Sequence, residues 1–317
     1  MEHYSRIKTE LLKSGLPLES MIAESINSLS SKLSNPLINH GEYFFQRQES
    51  EFPNSVDFLV THDLDIKNCD FVQIAFLLEC KYRTRGTRWY FTPNPLKDSG
   101  MEFFVENFFS KGKCNRWTFP SMISPLNDKT MSIVGKGIEI YSNGERNEKS
   151  INEAIHQLMF ATSSLLPRAF VKEEFMLEIM RKKGIDIKGR SMHSLLCPII
   201  VTTSDLHFLK DVNIEKVEQS KKLEDISKVE KIIVYSAKPP LYVERYIKET
   251  VAKDIMASLL FEASTKDVIH YLSEYSAFFP SRYYIVNYKS VIDFLEKYVD
   301  FASSMLVYAC KESNKSA

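Results

Sequence analysis

Two apolar runs, SVDFLVTHD (55–63) and FVQIAFLLECKYR (71–83), flank a short polar connection and constrain the fold more than anything else in the chain. Runs of this length and composition, bounded by polar turn residues, read as buried strands. A lone Asp57 interrupts the first run, and Glu79-Cys80-Lys81 closes the second. Charges at such positions carry a large desolvation cost unless they pair or bind something. Because side chains alternate along a strand, Glu79 and Lys81 share one face while Cys80 takes the other. The backbone carbonyl of Cys80 is then a candidate metal ligand. The same acidic-x-Lys pattern occurs at Asp65-Ile66-Lys67 and Asp186-Ile187-Lys188, but in polar, turn-like surroundings. Only the Glu79 triplet ends an apolar run. Its structural alternative is a Glu–Lys pair emerging into solvent, with Asp57 starting a turn.

The composition narrows the classes. The chain has 317 residues, 44% hydrophobic and 26% charged, the balance of a globular protein with a sizeable core. Its 41 basic and 41 acidic residues cancel, so any nucleic-acid surface must be local. Five cysteines without a CxxC read as reduced thiols of a cytoplasmic protein rather than zinc ligands or disulfides. The first residues are charged where a secretion signal is apolar, and there is no 18-residue apolar run, so neither export nor membrane insertion is expected. There is no phosphate-binding glycine loop, no Gly-x-Ser-x-Gly elbow and no zinc spacing around His193–His207. His62 is expected on a loop surface.

Along the chain, strands alternate with helices, which predicts an α/β fold around one sheet. Pro17 suits a first helical turn, and Leu18, Ile22, Ile26 and Leu29 follow at helical spacing. Further helices are expected over 101–111, 150–166 and about 170–182. Strands are expected over 42–48, 133–141 and 193–209, and at RWYFTPNP, KIIVYS and RYYIVNY. The segment 217–231 reads as a solvated charge run.

The ordered segments GLPLESMIAESI, SVDFLV, LLECKYR with RWYFTPNP, EAIHQLMFAT and CPIIVTTSDL resemble the PD-(D/E)xK, restriction-endonuclease-like superfamily over about residues 14 to 236. One departure is Val56, where that superfamily often has Pro. The resemblance implies a restriction-endonuclease-like core, a central mixed sheet flanked by helices; residues 237–317 read separately as a helix-rich extension packed on it, enclosing the strand RYYIVNY. It also implies that Asp57, Glu79 and Lys81 converge at one sheet edge, with Asp57, Glu79 and the Cys80 carbonyl holding Mg²⁺ or Mn²⁺. An acidic residue of the first core helix is implied as well. Glu19 and Glu24 both qualify, with Glu19 matching the pattern better, and Gln157 is a supporting candidate.

Arg83, Arg85 and Arg88 with Trp89 follow the cluster and suit contacts to a nucleic-acid backbone with stacking on a base. Lys111, Lys113 and Arg116 beside Trp117 form a second basic and aromatic cluster. The expectation is a Mg²⁺-dependent endonuclease acting on DNA, in restriction or another defence with partner proteins, and a homodimer, since cutting both strands takes two active sites. The alternatives are a catalytically silent nuclease-fold module that binds DNA or protein, and a ribonuclease of the same fold.

Overall fold

The computed structural model describes residues 2–47, 52–65, 71–94, 104–106, 132–184, 192–210, 212–258 and 282–313. In chain order its elements are α1 (Glu2–Lys13), α2 (Leu16–Ser30), β1 (Ile38–Asn39), β2 (Tyr43–Phe45), β3 (Asn54–Val56), β4 (Phe58–Asp65) and β5 (Phe71–Lys81). Then come β6 (Arg88–Pro93), β7 (Phe104–Glu106), β8 (Ser132–Ile140), β9 (Arg146–Asn147), α3 (Ser150–Lys182), β10 (Met192–Thr202) and β11 (Asp205–Leu209). The remainder is α4 (Ile214–Gln219), β12 (Ser227–Glu230), β13 (Ile232–Ser236), α5 (Leu241–Tyr246), α6 (Ala252–Ser258), β14 (Arg282–Asn287) and α7 (Val291–Ser313).

The fold is α/β. Among the described residues one mixed sheet runs β1-β4-β5-β10-β14-β13-β8-β6-β11-β12, with β7 on β10 and β9 on β8. The pair β4/β5 is antiparallel, and β10 lies parallel to β5 from Phe71 opposite Met192 to Lys81 opposite Thr202. Alternation along β5 divides the core. Ile74, Phe76, Leu78 and Cys80 join Leu18, Ile22, Ile26 and Leu29 of α2 and Phe294, Leu295 and Tyr298 of α7. Ala75 and Leu77 face the other way, onto Ile155, Leu158 and Met159 of α3 and Val243 and Tyr246 of α5. Burial of these faces is the main force holding the helices to the sheet.

Several elements differ from the sequence reading. The run 55–63 is not one strand: β3 pairs with β2 in a separate antiparallel pair, β4 pairs with β5, and Asp57 is the residue between. Phe104–Glu106 is a strand on β10 rather than part of a helix. Among the described residues β14 pairs with β10 only at Ile199–Thr202, and the earlier part of β10 is taken up by β7. The rest of 101–111, and Lys111, Lys113, Arg116 and Trp117, lie outside the described residues. Helix α3 runs unbroken through Pro167. A helical proline typically costs ~3 kcal/mol, and the buried Leu165 and Leu166 beside it supply the packing that outweighs this. The run 193–209 divides into β10 and β11 on opposite halves of the sheet. His62 lies in β4 and is buried, not on a loop surface. Finally, residues 237–317 are not an appendage, because β14 lies inside the sheet between β10 and β13. Among the described residues no helix is long and apolar enough to cross a membrane.

Candidate active site

Asp57 and Glu79-Cys80-Lys81 meet where β4 begins and β5 ends. The register puts Phe58 opposite Leu78, so β5 continues past the start of β4 and Cys80 has no β4 residue opposite it. The Asp57 carboxylate occupies that place and accepts the Cys80 N–H at 2.5 Å. The N–H and C=O of one residue project to the same edge of a strand. The Cys80 carbonyl therefore points toward the edge that Asp57 occupies. Burial and the nearby carboxylates Asp57 and Glu79 push the Cys80 thiol well upward, so its sulfur stays protonated and only its carbonyl suits a hard cation.

Glu79 is 3% exposed. Its Oε1 accepts from the Lys81 ammonium, while Oε2 is enclosed and has no hydrogen-bond partner among the described residues. Burial raises the carboxyl to about 7, against the pull of Lys81 and with repulsion from Asp57 and Glu19. Asp57 is raised by burial too, opposed by the Cys80 N–H and Lys81, with Glu42 adding repulsion.

Glu19 reaches this cluster from the first turn of α2. Gly15, at φ 84°, precedes that turn, and a proline occupies the helix start, so GLPLE begins the helix at a fixed point. A Cβ at Gly15 would lie 2.9 Å from Glu19 Oε1. Burial raises the Glu19 carboxyl, followed by repulsion from Asp57 and Glu42. Glu24 is exposed further along α2. Gln157 Nε2 donates to the Ser55 carbonyl, two residues before Asp57, and so holds β3 against α3.

The arginine-aromatic segment is arranged differently from the nucleic-acid contact expected of it. Arg83 is held inside by donating Nε to Glu139, one terminal nitrogen to the Tyr82 carbonyl at 2.8 Å and the other to Ser150 Oγ at 2.8 Å. Trp89 is fully buried and donates to Glu139 Oε1 at 3.3 Å, so it has no free face for a base. Both residues brace the sheet here, because a fully buried Glu139 needs donors around it. Arg85 and Arg88 are exposed.

Three residues outside the sequence reading shape the site. Glu42, just before β2, adds a fourth carboxylate acting on Asp57 and Glu19. Thr203 Oγ1 accepts the Arg83 N–H at 2.7 Å and donates to the Arg83 carbonyl at 2.9 Å. Thr202 Oγ1 donates to the Lys81 carbonyl at 3.0 Å. The turn after β10 therefore clamps the strand end that carries Glu79 and Lys81. Glu42 has no distinguishing local signal; the Thr-Thr-Ser stretch after an apolar run was the one available cue for the clamp.

Compared with protein-family models, curated proteins and solved structures, the chain has no match in any of the three.

The donor set suits a hard divalent cation: carboxylates of Asp57 and Glu79, an edge-facing carbonyl, and the partnerless Glu79 Oε2. Among the described residues, no three His, Cys, Asp or Glu side chains already stand as a ligand group. Glu79 is turned onto Lys81 through Oε1 and Asp57 onto the Cys80 N–H through one oxygen, which leaves the second oxygen of Glu79 for a cation.

Proposed function

We propose that the chain is a divalent-metal-dependent phosphodiesterase that cuts nucleic acid, with DNA as its leading substrate. The observation that carries this reading is the meeting of the Asp57 carboxylate, the Cys80 backbone and the Glu79–Lys81 pair at the shared end of β4 and β5. A core of the restriction-endonuclease-like kind is part of the same proposal, supported by the α2, β4/β5, α3 and β10 arrangement around that point. Restriction or defence, with partner proteins and a homodimer for cutting both strands, rests on the sequence resemblance.

Asp57, Glu79 and the Cys80 carbonyl would hold Mg²⁺ or Mn²⁺. Such an ion would neutralise phosphate charge and acidify a bound water. Glu19 and Glu42 add negative charge that favours cation entry. The Lys81 ammonium, held on Glu79, is placed to orient the attacking water and to counter charge building on phosphorus. Burial lifts the Glu79 carboxyl to about 7, and a cation held beside it would favour its ionised form.

That no ready-made ligand group stands among the described residues favours one competing reading, a nuclease-fold module that binds without cutting. The test is cleavage of supercoiled, linear and single-stranded DNA and of RNA, with Mg²⁺, Mn²⁺ or EDTA, beside Asp57→Ala. Cleavage that needs the metal and Asp57 supports the proposal. Intact substrates under every metal condition would overturn it, and cutting of RNA alone would move the substrate class.

A further inference from the structure

A second cluster lies on the α3 side of the β2–β3 pair, away from the carboxylates. His156, Phe160, Ser164 and Arg168 recur every four residues and so share one face of α3. Opposite them stand Tyr43 and Phe45, buried on β2, with Arg47 next in the alternating series. The Arg47 guanidinium carbon lies 4.4 Å from the Phe160 ring centroid and 5.8 Å from that of Phe45. Its Nε–H is enclosed and has no acceptor among the described residues. Arg168 lies 4.8 Å over Tyr43, whose hydroxyl meets Ser164 Oγ at 2.9 Å. Tyr242 hydrogen-bonds His156 Nδ1 at 2.8 Å and stacks on Phe160. Among the described residues no carboxylate forms an ion pair with Arg47 or Arg168.

Each feature has an ordinary explanation, but the combination does not. A guanidinium taken from water onto aromatic rings normally keeps a carboxylate for its donors. Burial disfavours the charge on Arg47, and only Tyr242 and Tyr246 act in its favour. The cation–π contact with Phe160 offsets part of this cost and satisfies none of the N–H donors. We propose that Arg47, with His156 and Tyr242 around it, is a phosphate-binding site separate from the carboxylate cluster. The planar donor fork fits a phosphate by paired hydrogen bonds, and the half-exposed Tyr242 offers a rim for a sugar or base.

The phosphate source rests on the phosphodiesterase reading: a nucleic-acid strand that passes the carboxylate cluster and continues along the β2–β3 pair. Val56, opposite Tyr43, directly precedes Asp57. Arg47 is four residues beyond Tyr43, or ~13 Å at strand spacing. One strand can therefore span both sites.

The test uses the full chain, native, Asp57→Asn and Arg47→Met, in EDTA. R47M keeps an unbranched stem for the rings and loses the charge. Inorganic phosphate should raise Tm of the native chain and D57N above a chloride control of equal ionic strength, and leave R47M unmoved. In anisotropy, a short 5′-phosphorylated single strand should bind R47M about tenfold more weakly than native, as expected for one charged hydrogen-bonding group. Loss with the phosphorylated strand only assigns a terminal phosphate; equal loss with the 5′-hydroxyl strand assigns a backbone phosphate. Should R47M fail to fold, Arg47→Lys, which keeps charge and loses the fork, carries the comparison. Equal phosphate protection of native and Arg47 variants would overturn the proposal, as would no protection of either. Cleavage failing in every substrate while phosphate still protects through Arg47 would sink the nuclease reading alone.

Discussion

Glu79 is the residue with the sharpest consequences. It is enclosed, half satisfied and raised from its ordinary 4.5 to about 7. In an unfolded chain it would lose its proton near 4.5, whereas the folded protein keeps that proton until about 7. The folded state therefore binds more protons across that window, so the sign is destabilising as pH rises. Without divalent metal, stability should fall between these two values by up to roughly 3 kcal/mol. Denaturant unfolding in EDTA across this pH range should show the fall in the native chain and a flatter profile in Glu79→Gln. Adding Mg²⁺ should raise Tm of the native chain at pH 7.5 and barely move Asp57→Asn; equal shifts in both would remove Asp57 from the ligand set. Lys81→Met should fold normally and cut about 100-fold more slowly or worse, in line with the loss of one transition-state charge partner.

At the scale of elements, the decisive feature is strand β5 outrunning β4. The overhang frees the Cys80 N–H for Asp57 and leaves the Glu79–Lys81 end to be clamped by Thr202 and Thr203. Thr203→Val removes both bonds to Arg83 while keeping a β-branched shape. It should weaken cleavage with little change in metal-dependent Tm, since it holds the strand and not the ion. The other half of the sheet depends on close approach at Gly137, where a Cβ would come within 2.6 Å of Phe91 and 3.0 Å of Ile151. Phe91 is fully buried and cannot swing away. Gly137→Ala should therefore cost about 1–3 kcal/mol, read as a lower denaturation midpoint.

For the whole molecule, the order of strands matters more than their number. β14 enters between β10 and β13 with Tyr283, Tyr284, Ile285 and Val286 fully buried. Its last residue, Asn287, donates to the Ser204 carbonyl at 3.0 Å and so steadies the turn that clamps the site. A chain cut after Ser236 leaves two internal strands with open edges and loses α7 from one face. It should show no cooperative unfolding transition by circular dichroism, in contrast with the full chain.

Some of this was legible from local pattern. Leu18, Ile22, Ile26 and Leu29 mark α2 because a helix repeats every three to four residues, and the β5 run marks a buried strand because only a sheet interior takes so many apolar residues in a row. Alternation alone puts Glu79 and Lys81 together and Cys80 apart. Pairing was not legible. Which strand lies beside which depends on contacts between residues far apart in sequence, and no local pattern encodes them. So the exposed-looking Arg83 and Trp89 turned inward once Glu139 came up beside them, Phe104–Glu106 became a strand because β10 offered an open edge, and the C-terminal segment became part of the sheet. The sequence by itself determined the α/β class and the charged interruptions at Asp57 and Glu79-Cys80-Lys81. Tertiary structure alone decided that these interruptions meet, that Glu19 and Glu42 act on them, and that Arg47 is half-buried without a carboxylate partner among the described residues, because burial and charge proximity arise only when distant segments pack.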